Sequence, residues 1–395
     1  MQFSEIEQKI KECMPAIIEL RRSVHAEPEL GNCEEKTAQK VLDRLSNLPV
    51  DVRSNIFGHG ILATLSGKEQ GKTIMFRGDM DALPMNEDND LWFKSTVPNV
   101  MHACGHDMHT AALAGAAMVL SQFKEQLKGN IKFMFQPAEE SSPVGGSRGM
   151  IAAGVLQNPK VDEAYGLHVY GIPCGQVTFR PGVANSSSDR ITIEIIGKSS
   201  HGSFPNEGFD AIVAAANVIT SIQTIVSRSL SPCERAVITI GTVHGGSRYN
   251  VISDRVVLEG TVRSFSHETV EIIKARLHDI VEQAAATYGC TGILKYESGY
   301  DFMYNDLQLS DFVQESVGEL LGKENILIQA EPLPAGEDFS FISKLVPSVF
   351  LWVGAESAAH KGKCVLHNPT SIFDEQGLYE SVRIMCKIAY DKVIK

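Results

Sequence analysis

The sequence holds no Cys-x-x-Cys pair. Its 8 cysteines, Cys13, Cys33, Cys104, Cys174, Cys233, Cys290, Cys364 and Cys386, stand singly, which excludes zinc-ribbon and thioredoxin-like spacing. In a reducing compartment most such cysteines are expected to be small buried hydrophobes, and only Cys104 stands among other candidate ligands. Basic excess is missing as well. With 36 Lys and Arg against 48 Asp and Glu, the formal net charge is −12. No basic patch or stripe suited to phosphate backbone is present, so no nucleic-acid partner is expected. Long hydrophobic runs are lacking: residues 111–120, the longest strongly apolar segment, are far too short to cross a bilayer, and no membrane partner is expected. The opening residues, Met1-Gln2-Phe3-Ser4-Glu5-Ile6-Glu7, have neither a basic n-region nor an apolar h-region. A secretory signal is therefore not expected, and a cytoplasmic location is. Internal repeats, charge blocks and low-complexity tracts are absent too.

What is present is globular composition, 43% hydrophobic and 21% charged, over 395 residues, a length that suggests two domains. Ser4-Glu5-Ile6-Glu7 reads as a capping box. Ile6, Ile10, Met14, Ile17, Leu20 and Val24 follow at helical period, ending before Pro28. Strands are expected at 60–66, 73–77 and 131–136, with an alanine-rich helix at 106–126. Strand, helix and strand in succession indicate an α/β domain with a largely parallel sheet. After Gly182 the pattern changes. Ile191, Ile193 and Ile195 alternate with Arg190, Thr192 and Glu194, a strand with one buried face. A helix follows with Ile212, Ala216, Ile219, Ile222 and Val226 on one face. Strands at 236–243 and 255–263, a helix at 267–288 and a strand at 291–297 complete a β-α-β-β-α-β order, the ferredoxin-like unit. The expected organisation is a catalytic α/β domain in two parts, 1–185 and 299–395, interrupted by an inserted domain at 186–298.

The densest group of candidate ligands is Met101-His102-Ala103-Cys104-Gly105-His106-Asp107-Met108-His109. In an extended chain Cys104 and His106 share a face. A thiolate and an imidazole suit a divalent transition metal, with Asp107 as a further ligand or as a partner behind one. Capping of a helix start explains the same polar residues without any metal. Glu139-Glu140 follow a predicted strand, where ligands bind in open α/β sheets, and two adjacent carboxylates there can divide metal binding from general-base work. An exposed acidic turn is the plainer alternative. His168 stands in an apolar strand; His201 and His367 stand in polar loops; Asp79 and Asp81 lie just past a strand, placed to orient imidazoles or to cap backbone.

Taken together these segments resemble the amidohydrolase branch of a large metallopeptidase family, which includes hippurate hydrolases, N-acyl-L-amino-acid amidohydrolases and auxin-conjugate hydrolases. The matching stretches are 77–84, 101–110, 136–140, 166–169, 197–205, 336–339 and 366–369, in the family's order and across almost the whole chain. The string Met-His-Ala-Cys-Gly-His-Asp with a downstream Pro-Ala-Glu-Glu is highly specific. The resemblance implies a mixed-sheet dinuclear-metal hydrolase domain with an inserted ferredoxin-like βαββαβ lid or dimerisation domain. It implies two divalent metal ions per subunit (zinc, manganese, cobalt or nickel) held by Cys104, His106, Glu140, His168 and His367. Glu139 would be general base and acid, and Asp81 would lie in the layer behind the ligands. His201 would reach a partner subunit's site and hold the developing oxyanion, so a homodimer or higher homo-oligomer is expected. Asn250 and Arg263 resemble positions that contact the substrate carboxylate. The substrate expected is a small N-acyl amino acid. Three departures stand out: Ser203 replaces a small apolar residue, Asn206 a histidine, and Asn99 a glycine. The last is expected to alter only a local turn.

Other readings are a dipeptidase- or carboxypeptidase-like activity on the same site, a hydrolase with Cys104 as nucleophile and His106 as its base, and a non-catalytic metal-binding homologue. The second leaves Glu139, Glu140, His168 and His367 without a use, and a binding module has no need of Glu139.

Overall fold

The computed structural model describes residues 2–395. Helix α1 (Phe3–Ala26) buries Ile6, Ile10, Ile17, Leu20 and Val24 along one face and ends short of Pro28, whose ring disfavours helical geometry in the preceding residue. Its start differs from the expected capping box. Gln2 is the N-cap, and its N–H donates to Glu5 Oε1 at 2.8 Å, so Ser4 already lies inside the helix. The chain continues through α2 (Glu35–Leu45), β1 (Asp51–Ile56), β2 (Gly60–Ser66), β3 (Glu69–Asp79), α3 (His106–Leu120), β4 (Lys128–Gln136), α4 (Ser147–Ala152), β5 (Glu163–Pro173), β6 (Val177–Phe179) and β7 (Gly182–Asn185). Next come β8 (Ser188–Ile196), β9 (Ser200–His201), α5 (Ala211–Thr224), β10 (Ala236–Gly245), β11 (Val251–Ile252), β12 (Arg255–Ser264), α6 (His267–Ala286) and β13 (Thr291–Tyr300). The last elements are β14 (Met303–Asn305), α7 (Leu307–Leu321), β15 (Ile326–Ile328), α8 (Ser340–Ser343), β16 (Ser348–Glu356) and α9 (Glu375–Ala389).

Contacts divide the chain into two units. One comprises the residues up to Ala184 with Tyr304–Pro332 and Asp338–Lys395; the other comprises Asn185–Met303 with Leu333–Glu337. The first holds an 8-stranded sheet in the order β1-β2-β4-β3-β5-β16-β6-β15. Its centre is parallel: β3 pairs in parallel with β4 and β5, and β5 with β16. Antiparallel pairing enters where β2 meets β1 and β4, and where β6 meets β16. The sheet is therefore mixed: parallel pairing holds at its middle and between β6 and β15 at one edge, and the rest is antiparallel. That middle matters, because the carboxyl ends of adjacent parallel strands open on one side. Helix α3 is buried nearly all round. Its alanines let it lie close against α1, α9 and β3.

The second unit has a 4-stranded antiparallel sheet, β10-β12-β8-β13. Ile191, Ile193 and Ile195 are fully buried, and Ile193 lies opposite Leu258 and Leu294. The inward face of helix α5 is rotated from the one expected, sharing only Ile222 and the partly buried Ile219 with it. Ala211, Ala214, Ala215, Val218 and Ile222 are buried, while Ile212 and Val226 are exposed. The helix is apolar on several sides, so periodicity alone does not choose the inward face. Residues Ala211–Ser229 form one helical stretch of 19 residues with mean hydropathy 1.3, long and apolar enough by length and composition to cross a membrane. Scattered polar residues such as Thr220 and Gln223 break it into short apolar runs, which is why residues 111–120 stood out instead. Asn185, residues 299–303 and Leu333–Glu337 group with this second unit, although the expected boundaries give only 186–298 to it. The Ser186 N–H donates to Leu333 O at 3.0 Å, and such a backbone bond leaves no trace in local pattern.

Candidate metal centre

Residues from three neighbouring parallel strands and the loops beside them converge in the first unit. Asp79 ends β3, and Asp81 follows it. Pro137-Ala138-Glu139-Glu140 follows β4. His168 lies in β5. Cys104 and His106 sit at the start of α3, where Gly105 takes a left-handed turn with φ 84. His367 comes from the loop before α9 and holds φ 56, a conformation costly for a residue with a Cβ. Its N–H donates to Ala103 O at 2.9 Å, so the loop carrying His367 is held against the one carrying Cys104. Asn99 has φ 58, which explains why a glycine or an asparagine suits that position.

Potential ligand atoms of Cys104, His106 and His168 lie within 4.8 Å of one another, and the same holds for Cys104, Glu140 and His367 and for His106, Glu139 and Glu140. Hydrogen bonds orient the rings. His106 Nδ1 donates to Asp81 Oδ1 at 3.1 Å, and its buried Nε2 has no hydrogen-bond partner among the described residues. His168 Nδ1 donates to Val169 O at 2.7 Å, leaving Nε2 3.4 Å from Cys104 Sγ. A ring held through one nitrogen with the other left for a cation is the usual arrangement of metal-ligating histidines. Asp81 also accepts the Glu140 N–H at 2.8 Å, and His367 Nε2 lies 3.0 Å from Glu140 Oε1.

The electrostatics match a cation. Burial, reinforced by Glu140, Glu139 and Asp79, pushes the Cys104 thiol far above its ordinary range. Burial pulls His106 down, but Asp79, Asp81 and Glu140 outweigh it and carry the imidazole up to about 10. So many buried acidic donors require compensating positive charge, and mixed thiolate, imidazole and carboxylate donors suit a divalent transition metal. A cysteine nucleophile would need cations to stabilise its thiolate, whereas Cys104 is surrounded by carboxylates.

Two nearby residues are not arranged as ligands. His109 Nδ1 donates to Asp79 Oδ1 at 2.6 Å, and its Nε2 accepts the Val169 N–H at 2.9 Å, so both ring nitrogens are engaged. Asp79 is also paired with Arg77. Asp107 turns away toward α1, accepting from Arg21 Nε at 2.7 Å and bonding His25 Nδ1 at 2.9 Å. Sequence reading passed over Arg21 and His25; their signal is a basic pair four residues apart on the apolar face of α1.

His201, Asn250 and Arg263 belong to the second unit. His201 lies in β9, paired with Val251 of β11, and is exposed. The Gly202 N–H donates to Asn250 O at 2.8 Å, which sets Asn250 beside His201, and Asn250 Oδ1 is buried without a partner. Arg263 lies in β12, and burial lowers its pKa.

Comparison with known proteins identifies the family. Residues 75–391 match the model of peptidase family M20/M25/M40. An N-acetyl-L-cysteine deacetylase of Bacillus subtilis is 36% identical over 375 residues, 93% of this chain and 87% of that protein. Thermostable carboxypeptidase 2 of Saccharolobus solfataricus is 34% identical over 372 residues, 93% of each chain. The solved structure of the Bacillus subtilis YXEP protein, described as a dinuclear metal-binding peptidase of the M20 family, superposes with a TM-score of 0.82 at 32% identity, covering 96% of this chain and 98% of that one. The fold and the donor cluster define a metal-dependent amidohydrolase. The chain belongs to peptidase family M20/M25/M40.

Proposed function

We propose that this enzyme hydrolyses the amide bond of N-acyl amino acids to a carboxylic acid and a free amino acid, using two divalent ions per subunit held by Cys104, His106, Glu140, His168 and His367. One observation carries the reading: the groups Cys104–His106–His168 and Cys104–Glu140–His367 bring all five donors together, and Glu139 stands beside them in a group with His106 and Glu140. Bound divalent ions supply Lewis-acid stabilisation of negative charge and lower the pKa of water toward about 7. Glu139 then takes a proton from the attacking water and passes it to the leaving nitrogen. A carboxylate engaged as a ligand would lose that basicity, so Glu139 and Glu140 divide the tasks. By accepting from His106 Nδ1, Asp81 would orient the ring so that Nε2 could hold an ion.

By the resemblance, His201 would offset oxyanion charge in a partner subunit's site, and Asn250 and Arg263 would meet the substrate carboxylate. The working species is a homodimer or higher homo-oligomer, an inference supported by the unpaired edge of β10 with exposed Val237 and Val243. A cytoplasmic location accords with 8 cysteines that all remain free. The donor set suits zinc, manganese, cobalt or nickel.

A carboxypeptidase-like activity is the second reading, favoured by the carboxypeptidase of Saccharolobus solfataricus among the relatives. Stripped protein reloaded with one metal at a time is expected to release amino acid from at least one N-acetyl, N-benzoyl or indole-acetyl conjugate, and to be inactive while stripped. Turnover of dipeptides alone would support the second reading. Full activity in excess chelator would overturn both.

A further inference from the structure

The residue that sets the Glu139–Glu140 turn lies in a segment no functional motif has yet claimed. Ala138, directly before the pair, holds φ 56 and is 1% exposed. A left-handed alanine persists only where its surroundings impose it. Its N–H donates to Glu34 Oε1 at 2.7 Å. Glu34 is fully buried, and a buried carboxyl is costly unless its bonds matter.

The simplest use for Glu34 would be capping α2, because it occupies the N-cap position. Its side chain makes no capping bond there. Glu29 does that work, accepting the N–H groups of Lys36 at 3.1 Å and Thr37 at 2.8 Å. Glu34 is thereby left to reach Ala138. The same short segment meets the turn at a second point. A Cβ on Gly31 would stand 2.4 Å from Ser141 Oγ, 3.1 Å from Ala138 Cα and 3.3 Å from Ala138 Cβ, so only glycine lets the loop lie this close. It also holds the Asp81 arm, since the Ala82 N–H donates to Glu29 O at 2.8 Å.

We propose that Glu34 is a positioning residue for the general base: by accepting the Ala138 N–H it fixes the left-handed turn that aims Glu139 at the attacking water while Glu140 faces the donor cluster. This rests on the role given to Glu139 above. Either an ionised or a neutral carboxyl can accept that bond. Burial, with Asp81 adding to it, pushes Glu34 up to about 7 against opposing backbone N–H groups, so an uncharged glutamine is a close mimic.

The test compares Glu34→Gln and Glu34→Ala in the full-length protein loaded with Co2+, using hippurate and N-acetyl-L-cysteine as substrates and the visible Co2+ absorption spectrum as a second readout. Glu34→Gln should keep kcat within about threefold and preserve the spectrum. Glu34→Ala leaves a buried N–H unpaired and should lower kcat about 10- to 100-fold, with KM and cobalt content near wild type and an altered spectrum. If Glu34→Ala does not fold, Gly31→Ala presses on the same turn from the other side and should show the same split between kcat and KM. Equal losses in the Gln and Ala variants, or wild-type kcat and spectrum in Glu34→Ala, would overturn the proposal. Should the wild type hydrolyse neither substrate, the substrate reading fails, and the cobalt spectra of the two variants still decide the role of Glu34.

Discussion

The sheets of both units bury apolar cores, but only the first also buries a dense polar cluster around its central strands. Around Ile191, Ile193 and Ile195 the second unit packs Val218, Ile222, Leu258, Leu277 and Val281, an apolar core against two helices. At the carboxyl ends of β3, β4 and β5 the first unit buries Arg77, Asp79, Asp81, His106, His109, Glu139 and His168. Ala138 and His367 beside them hold positive φ. An apolar core gains free energy from each group removed from water. A polar cluster of this size is costly in isolation and becomes favourable when every member finds a partner or an ion. The contrast teaches where to look for function in this chain: where burial runs against transfer free energy, the arrangement serves chemistry.

Substitutions sharpen that contrast. The largest expected effect is at Glu139. Glu139→Gln keeps the volume and the two donor groups but removes the base, so kcat should fall by about 10²–10⁴ while metal content stays near wild type. Steady-state kinetics with metal analysis of the same preparation checks this. The smaller effect falls on the other unit and on a different observable. Ile193→Ala should cost about 2–5 kcal/mol of stability, read by denaturant unfolding, and leave the metal content of folded protein unchanged. Loss of metal in that variant would break the separation drawn between the two units.

The two regions also differ in how far the sequence discloses them. Strand β8 was legible because alternation of Ile191, Ile193 and Ile195 is a local pattern with one physical cause. Helix α5 was found but rotated from its expected face, since an apolar surface on several sides carries no phase. At the metal centre the residue types were legible as a joint pattern, and the resemblance supplied the roles. What stayed hidden is how the cluster is held. Arg21 and His25 reach Asp107 from 86 and 82 residues away, Asp338 meets Arg77 across 261, and Glu34 meets Ala138 across 104. Such bonds leave only weak local traces: a basic pair on an apolar helix face, a glycine in a tight loop, an asparagine where φ is positive. The histidines show the same limit. His106 and His109 stand three residues apart, and only the geometry shows that His109 has both ring nitrogens engaged while His106 keeps one buried nitrogen without a hydrogen-bond partner among the described residues.

The central claim is that His106 and its neighbours are metal donors while His109 only supports them. It is tested most directly by counting metal per chain in the wild type and in His106→Ala after stripping and reloading with a single metal. Two ions per chain in the wild type, with at least one lost in His106→Ala, is the predicted result. A full count of two in His106→Ala would contradict it.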